Sequence, residues 1–473
     1  MTIANDIISC RIPDFDYYLR EGELLDDIDE YGFTPLIEAA ITRQVHIAEL
    51  LIARGVDINK PDVTGRTALH WAVDNHDESM VLLLLKHGAC PNAYTNSGLP
   101  VLVYPILRGQ NHLKHLLYQY HAKLDFALDF ILAKLIGHRF ELSGDVDIVN
   151  AKGEFIELDY EGFILEFTVA VIQDSLRRFT SSFSTKHLRK HFNTLYEIMD
   201  ALLIADELLK LQHHVNLSEE DMTKLNSLIQ SPLLILPAAS RGHAMSFIKY
   251  KQWWAKIDRG ENSLKEGSVN VYKITRPDAF TIHFIREFLY KKQSRSYFHQ
   301  IINNQLGLMP VLKLPMSSQI SGNCSWANVQ AVVPVSYFLL QAEESTEANF
   351  TEAKALYESW LEWDKDRALD ECIQRFYISD PVRKASLAAM LGAILFQACD
   401  YDKRQDLERA EKILTVLTLP DYQYILDSYL EIYCVKRLTR KGNNLLKLLD
   451  DCGINPKIGV SPIATGLKSR EER

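Results

Sequence analysis

The chain has 473 residues, 47% of them hydrophobic, and a formal net charge of −10. That length is too great for one core and predicts about three domains, while the acidic balance argues against a dominant grip on nucleic acid, which needs a basic footprint. No apolar run of about twenty residues offers a membrane span. The N-terminus lacks the basic-then-apolar pattern of a secretory signal, so export by that route is not expected. The seven scattered cysteines contain no CxxC pair, so neither a disulfide framework nor a metal cluster is expected, and no cofactor is indicated.

The first legible element is a period. Gly32, Gly65 and Gly98 stand 33 residues apart and open comparable segments. Thr34 and Thr67 suit helix N-caps and Pro35 the first helical position. Leu50 to Ile52 and Leu82 to Leu85 supply a buried second helix, which Gly55 and Gly88 close. GFTPLIEAA and GRTALHWAV, with their continuations, resemble ankyrin repeats. The resemblance implies a solenoid over residues 1–125 of roughly four units, the first a degenerate cap over RIPDFDYYLREGELLDDIDEYG. It also implies a protein partner. Candidate contacts are Tyr31, Phe33, Asp62, Arg66, Trp71, Tyr94 and Asn96, with support of the stack as the competing role for each. LIARGVDIN is similar to the consensus that the host asparaginyl hydroxylase of the hypoxia pathway reads in ankyrin domains. Asn59 is thus a candidate modification site, or a turn residue bonding local backbone.

Residues 126–231 read as a connecting region. VDIV and EFIEL flank the turn signal NAKG and predict a hairpin, and two long amphipathic helices come next. HLRKH could place His187 and His191 on one face, with His213 and His214 nearby. Without a third ligand a surface or interhelix role is expected there, and no metal site is assigned.

Residues 232–345 change texture to short apolar runs bounded by turns, PLLILPAAS, HAMSFIKY, QWWAKI, SVNVYKIT and LMPVLKLP, which predict a sheet. ANVQAVVPVSYFLLQA then predicts a buried helix with Pro334 as a kink. SGN becomes the turn that opens it, Ser321 or Asn323 sits near the cap, and Cys324 falls in the first turn, where helix-end N–H groups favour thiolate.

A cysteine nucleophile needs a base and a group to orient that base. All 15 histidines precede Cys324, so the base comes first in the chain. His243 heads a predicted strand, Asp258 ends its return strand, and Gln319 could donate to an oxyanion together with the Cys324 backbone N–H. The order His243, Asp258, Gln319, Cys324 resembles the CE clan of cysteine peptidases, which includes ubiquitin-like-protein proteases and bacterial effector deubiquitinases and acetyltransferases. The resemblance implies cleavage of an amide or isopeptide bond, with acyl transfer as a related alternative. Ala244 stands where that clan commonly has an aromatic, and Ser325 where it commonly has Gly. Trp326 is expected to shield the thiol or fill the entrance.

Residues 346–455 predict a helical bundle packed on the sheet domain, ending in NNLLKLLDDCGINP, similar to the close of an ankyrin repeat. Residues 456–473 predict a loose tail compatible with a specialised secretion signal. The fold class expected is α+β multidomain: ankyrin solenoid, cysteine-peptidase-like sheet-plus-helix core, C-terminal helical bundle. The peptides FELSGDVDIV and EFIELDYEGFILEF, set between ankyrin repeats and this core, resemble the ankyrin effectors that Legionella injects through its type IV system. That implies synthesis in the bacterial cytoplasm, action in the host cytosol or nucleus, and host protein partners. Two functions compete: hydrolysis at Cys324, and binding without turnover.

Overall fold

The computed structural model describes residues 2–160, 164–212, 217–240, 243–260, 267–318, 323–341, 350–437 and 439–454. Gln319, Ser321, His213, His214 and the tail 456–473 lie outside the described residues.

The repeat period is written in the backbone. Residues 10, 43, 76 and 109 (Cys10 at φ 54°, Arg43 at 59°, His76 at 55°, Gly109 at 67°) turn each first helix into its second. Gly22, Gly55, Gly88 and His121 close each second helix at φ 91°, 82°, 95° and 70°. Both sets step by 33 residues, so the degenerate cap is a full unit in geometry. The weak last repeat is weak in sequence because His121 occupies a left-handed position that its equivalents give to glycine. Thr34 Oγ1 accepts the Ile37 N–H at 3.2 Å, and the Thr67 N–H donates to His70 Nδ1 at 3.0 Å. Burial first, and Arg66 beside it, push His70 down to about 3, so it stays neutral as an acceptor.

In the third unit the Asp62 carboxylate accepts the Trp71 indole N–H at 3.0 Å. One repeat earlier the matching pair is Asp29 and Glu38, two carboxyls. Glu38 is 1% exposed, and burial, then the charge and hydrogen bond of Asp29, raise it from 4.5 to about 8. The proton on Glu38 thus does the work of the indole N–H. Below pH 4.5 folded and unfolded chains both hold that proton; as pH climbs toward 8 only the unfolded chain releases it, so stability falls across that window. Glu38→Gln, which carries a permanent N–H, is expected to flatten the fall and to raise stability near pH 7 by about 3 kcal/mol. Thermal melts of both proteins from pH 5 to 8 check this: parallel melting curves against pH would contradict it.

Buried ion pairs fasten the solenoid to the helices beyond it. Arg108 bonds Asp74 at 2.5 Å inside the stack and Asp206 at 2.8 Å on the Phe192–Leu211 helix. The hairpin β1 (Asp145–Val149) and β2 (Phe155–Asp159) is antiparallel as expected, and Leu158 packs so closely on Gly98 that a Cβ there would collide with it.

Five strands form the second sheet: β3 (Leu233–Ser240), β4 (His243–Tyr250), β5 (Trp253–Ile257), β6 (Val269–Ile274) and β7 (Leu308–Leu314), in that spatial order and all antiparallel. Helices Ile282–Tyr290 and Ile302–Leu306 cross between β6 and β7. The predicted helix after Cys324 is two, Cys324–Gln330 and Val332–Gln341. The break falls at Ala331, where Pro334 has no N–H to offer the carbonyl of Gln330.

The C-terminal helices run from Phe350–Ile378 to Arg440–Asp451. They rest on Val332–Gln341 of the core, on the Leu124–Arg139 and Leu165–Ser181 helices and on β1. Asp129 on the first of these helices takes Arg375 at 2.5 Å and Arg383 at 2.6 Å. No helix among the described residues is long and apolar enough to cross a membrane.

Candidate functional site

The ends of three elements meet beside Cys324. His243 is the first residue of β4 and Asp258 the first after β5. Tyr250 and Trp253 close a two-residue turn with Lys251 at φ 51°, and the register Ser246 to Ile257 carries Asp258 toward the His243 end. His243 Nε2 lies 2.9 Å from Asp258 Oδ1. Nε2 therefore carries the proton toward the carboxylate, and His243 is also hydrogen-bonded to Cys324. Cys324 is the first residue of its helix, half-buried, and its Sγ accepts the Ala244 N–H at 3.3 Å.

The electrostatics stem from these bonds. The bond to Asp258, then that to Cys324, raise His243 to about 9 against the opposing effect of burial. For Cys324 burial is the largest influence and acts upward, but the bonds from His243 and from the Ala244 and Ser325 backbone outweigh it and leave the thiol below its ordinary value. Asp258 behaves alike: burial pushes up, while His243, the Gly260 N–H and Lys256 hold it below the usual carboxylate range. Both shifts act in the direction of thiolate beside imidazolium. Gly260 has to be glycine, because a Cβ would meet the His243 ring at 2.8 Å.

Asn328 and Arg259 hold this geometry. Asn328, fully buried one helical turn after Cys324, donates from Nδ2 to the Ala244 carbonyl and accepts the Arg259 N–H, each at 2.8 Å. It thereby joins the helix to both strand ends. Arg259 donates to the Ser317 carbonyl at 2.8 Å and to the Ala327 carbonyl at 3.2 Å. Neither is singled out by the sequence reading, although a polar residue inside the apolar run ANVQAVV is the available signal. Trp326 corrects the expectation of a shield at the thiol. Two residues from Cys324 it faces the opposite side of the helix, is 2% exposed, and stacks on His138 at 4.6 Å with the Arg139 guanidinium 4.8 Å away. Gln319 lies outside the described residues.

On the solenoid, Tyr31, Tyr94 and Asn96 are exposed and Phe33 half-buried against Trp71. Asp62, Arg66 and Trp71 are at most 7% exposed and bond one another, so they shape the hairpins from within instead of facing a partner. Asn59 sits at an exposed turn with both ends of its amide engaged by the next repeat, donating to the Gly88 carbonyl at 3.2 Å and accepting the Cys90 N–H at 2.7 Å. Asn92 repeats the arrangement 33 residues on, with His121 and Lys123. His191 is buried and bonds the Tyr337 hydroxyl at 2.6 Å, while His187 stays with the Ser184 carbonyl. Among the described residues no group of three or more His, Cys, Asp or Glu is placed to hold a metal.

Four stacked ankyrin units joined by buried ion pairs to a helical and sheet-containing body define an ankyrin-repeat protein of the α+β class. The family model for ankyrin repeats (3 copies) matches residues 13–95 and 55–125. Inversin of Danio rerio is 37% identical over 71 residues, 15% of this chain and 7% of that protein, and a fowlpox virus ankyrin repeat protein is 43% identical over 60 residues, 13% of this chain and 9% of that protein. The chain thus spans less than a tenth of the length of these relatives. The solved structure of the Legionella effector AnkH covers 98% of this chain and 100% of its own, at 70% identity and a TM-score of 0.95. The chain belongs to the family of that Legionella effector.

Proposed function

We propose that the chain is an effector injected into the host cell, that it holds a host protein on its ankyrin array, and that it acts on an amide or isopeptide bond through Cys324. The observation that carries this reading is the carboxylate–imidazole bond of 2.9 Å between Asp258 and His243, whose imidazole is also hydrogen-bonded to Cys324. Family membership with AnkH supports the effector role, and the repeats support a protein partner.

In this mechanism His243 takes the thiol proton and Asp258 steadies the imidazolium. Sγ attacks the carbonyl carbon, and the oxyanion so formed is met by N–H groups at the start of the Cys324 helix, with Gln319 proposed as the side-chain donor. Imidazolium returns its proton to the leaving amine, and water then releases the acyl group from sulfur. Tyr31 on one hairpin tip, and Tyr94 and Asn96 on the tip two repeats further on, are exposed and present the partner surface.

The test compares the protein with Cys324→Ser in host-cell lysate, reading new N-termini and released modifiers by mass spectrometry and captured proteins by affinity. Products present with Cys324 and absent with Ser, against unchanged capture, are expected. The same products from both would leave a binding protein without turnover.

A further inference from the structure

Asp258 serves two imidazoles. Its Oδ1 accepts from His243 Nε2 at 2.9 Å and from the Gly260 N–H at 3.1 Å, while Oδ2 lies 3.7 Å from Nε2 of His299. Beyond that second ring, Lys256 Nζ donates to Nδ1 at 2.6 Å. Lys256 lies on β5 and Asp258 just past its end, and they are 5% and 4% exposed. His299 comes from the turn Tyr297–Ile301, whose neighbours Tyr297 and Phe298 are buried with Phe247 and Trp254 in a core of their own. Asn303 fixes its backbone by donating to the His299 carbonyl at 2.8 Å.

The chemistry of these groups gives the chain a direction. An ammonium only donates, so Nδ1 of His299 accepts and the ring proton sits on Nε2, 3.7 Å from Asp258 Oδ2. Lys256 thus stands behind a ring that neighbours one carboxylate oxygen, while the other oxygen is bonded to His243. Arg259, the further cation next to Asp258, is turned away to Ser317 and Ala327.

We propose that Lys256 and His299 are positioning residues of the Cys324 site, a second relay that orients the Asp258 carboxylate for His243. This rests on the reading of Cys324 and His243 as a reactive pair. A fastening that only pinned the Tyr297–Ile301 turn to the sheet would alter stability and leave the pH profile of the thiol where it was.

The test is the rate of Cys324 alkylation by iodoacetamide between pH 5 and 9, read residue by residue in the full chain, with exposed Cys10 and Cys90 as internal standards. The proteins compared are wild type, His299→Gln, His299→Leu and Lys256→Met, each with its melting temperature. A glutamine can accept from Lys256 and donate to Asp258, so His299→Gln is expected to keep the wild-type profile. His299→Leu and Lys256→Met are expected to slow labelling at pH 6 by about tenfold and to move its onset to higher pH, the scale of loss seen when orienting partners are removed. Wild-type profiles in all three variants would overturn the proposal and leave the Cys324–His243 pair standing. Equal losses in the Gln and Leu variants, in proportion to melting temperature, would also overturn it. Wild-type Cys324 reacting no faster than Cys10 and Cys90 would remove the pair and this role with it.

Discussion

Asp364→Ala is expected to destabilise the chain by about 3 to 5 kcal/mol, because it strands a buried arginine. Arg139 lies with its guanidinium over Trp326 at 4.8 Å and Trp360 at 4.5 Å, and its Nε donates to Asp364, which is fully buried. Asp364 also takes Arg367 at 2.8 Å. With the carboxylate gone, the hydrogen bond left to the Arg139 guanidinium among the described residues is the 3.4 Å one to Ser175. Denaturant unfolding should show the loss, and a change below about 1 kcal/mol would contradict it. The double variant Arg139→Met with Asp364→Leu should recover most of the deficit, since an apolar pair avoids the desolvation cost. Trp326 shares a helix with Cys324, so the single variant is also expected to blunt Cys324 labelling.

Asn328→Leu is expected to cost roughly 2 to 5 kcal/mol, the range for two buried backbone groups left without partners. The Ala244 carbonyl and the Arg259 N–H both lose the 2.8 Å bonds that Asn328 supplies. These bonds set where the His243 strand and the Asp258 loop stand relative to the Cys324 helix. Labelling of Cys324 at pH 6 should therefore fall by at least tenfold, about 1.4 kcal/mol in the thiolate equilibrium. Asn328→Asp separates the two roles: it can still accept from Arg259 but not donate to Ala244, so an intermediate loss of both stability and labelling is expected. Full labelling in Asn328→Leu would mean that the helix and strand ends hold their places without it.

Much of the fold is legible in the sequence because local rules and global architecture agree. The 33-residue period announces the solenoid, and the alternating runs from PLLILPAAS to LMPVLKLP announce all five strands. His243 and Asp258 come together because a tight turn joins their strands, and a hairpin is the shortest route by which sequence distance becomes contact. Three things stay hidden. The Leu124–Arg139 helix is buried on nearly every side, so it shows no amphipathic face to read. The helices between β6 and β7 lie inside a region whose texture reads as sheet, although Phe284, Ile285 and Phe288 line the buried face of one, and His299 is hidden with them. Asp62, Arg66 and Trp71 sit where ankyrin hairpins turn toward a partner, but the bond from Asp62 to Trp71 spans nine residues and is visible only in three dimensions.

The most direct measurement is the alkylation rate of Cys324 against pH, by mass spectrometry, in the wild type and in His243→Ala. Bonds to Asp258 and Cys324 keep His243 protonated up to about 9, and the same contacts draw the thiol below its ordinary value. The predicted result is rapid labelling from about pH 6, nearly flat up to the point where the imidazolium titrates, that collapses to the rate of an ordinary thiol in His243→Ala. Labelling that rises only near pH 8.5, as for a free thiol, and is indifferent to His243 would contradict the account and leave the exposed hairpin tips of the solenoid as the place where the protein acts.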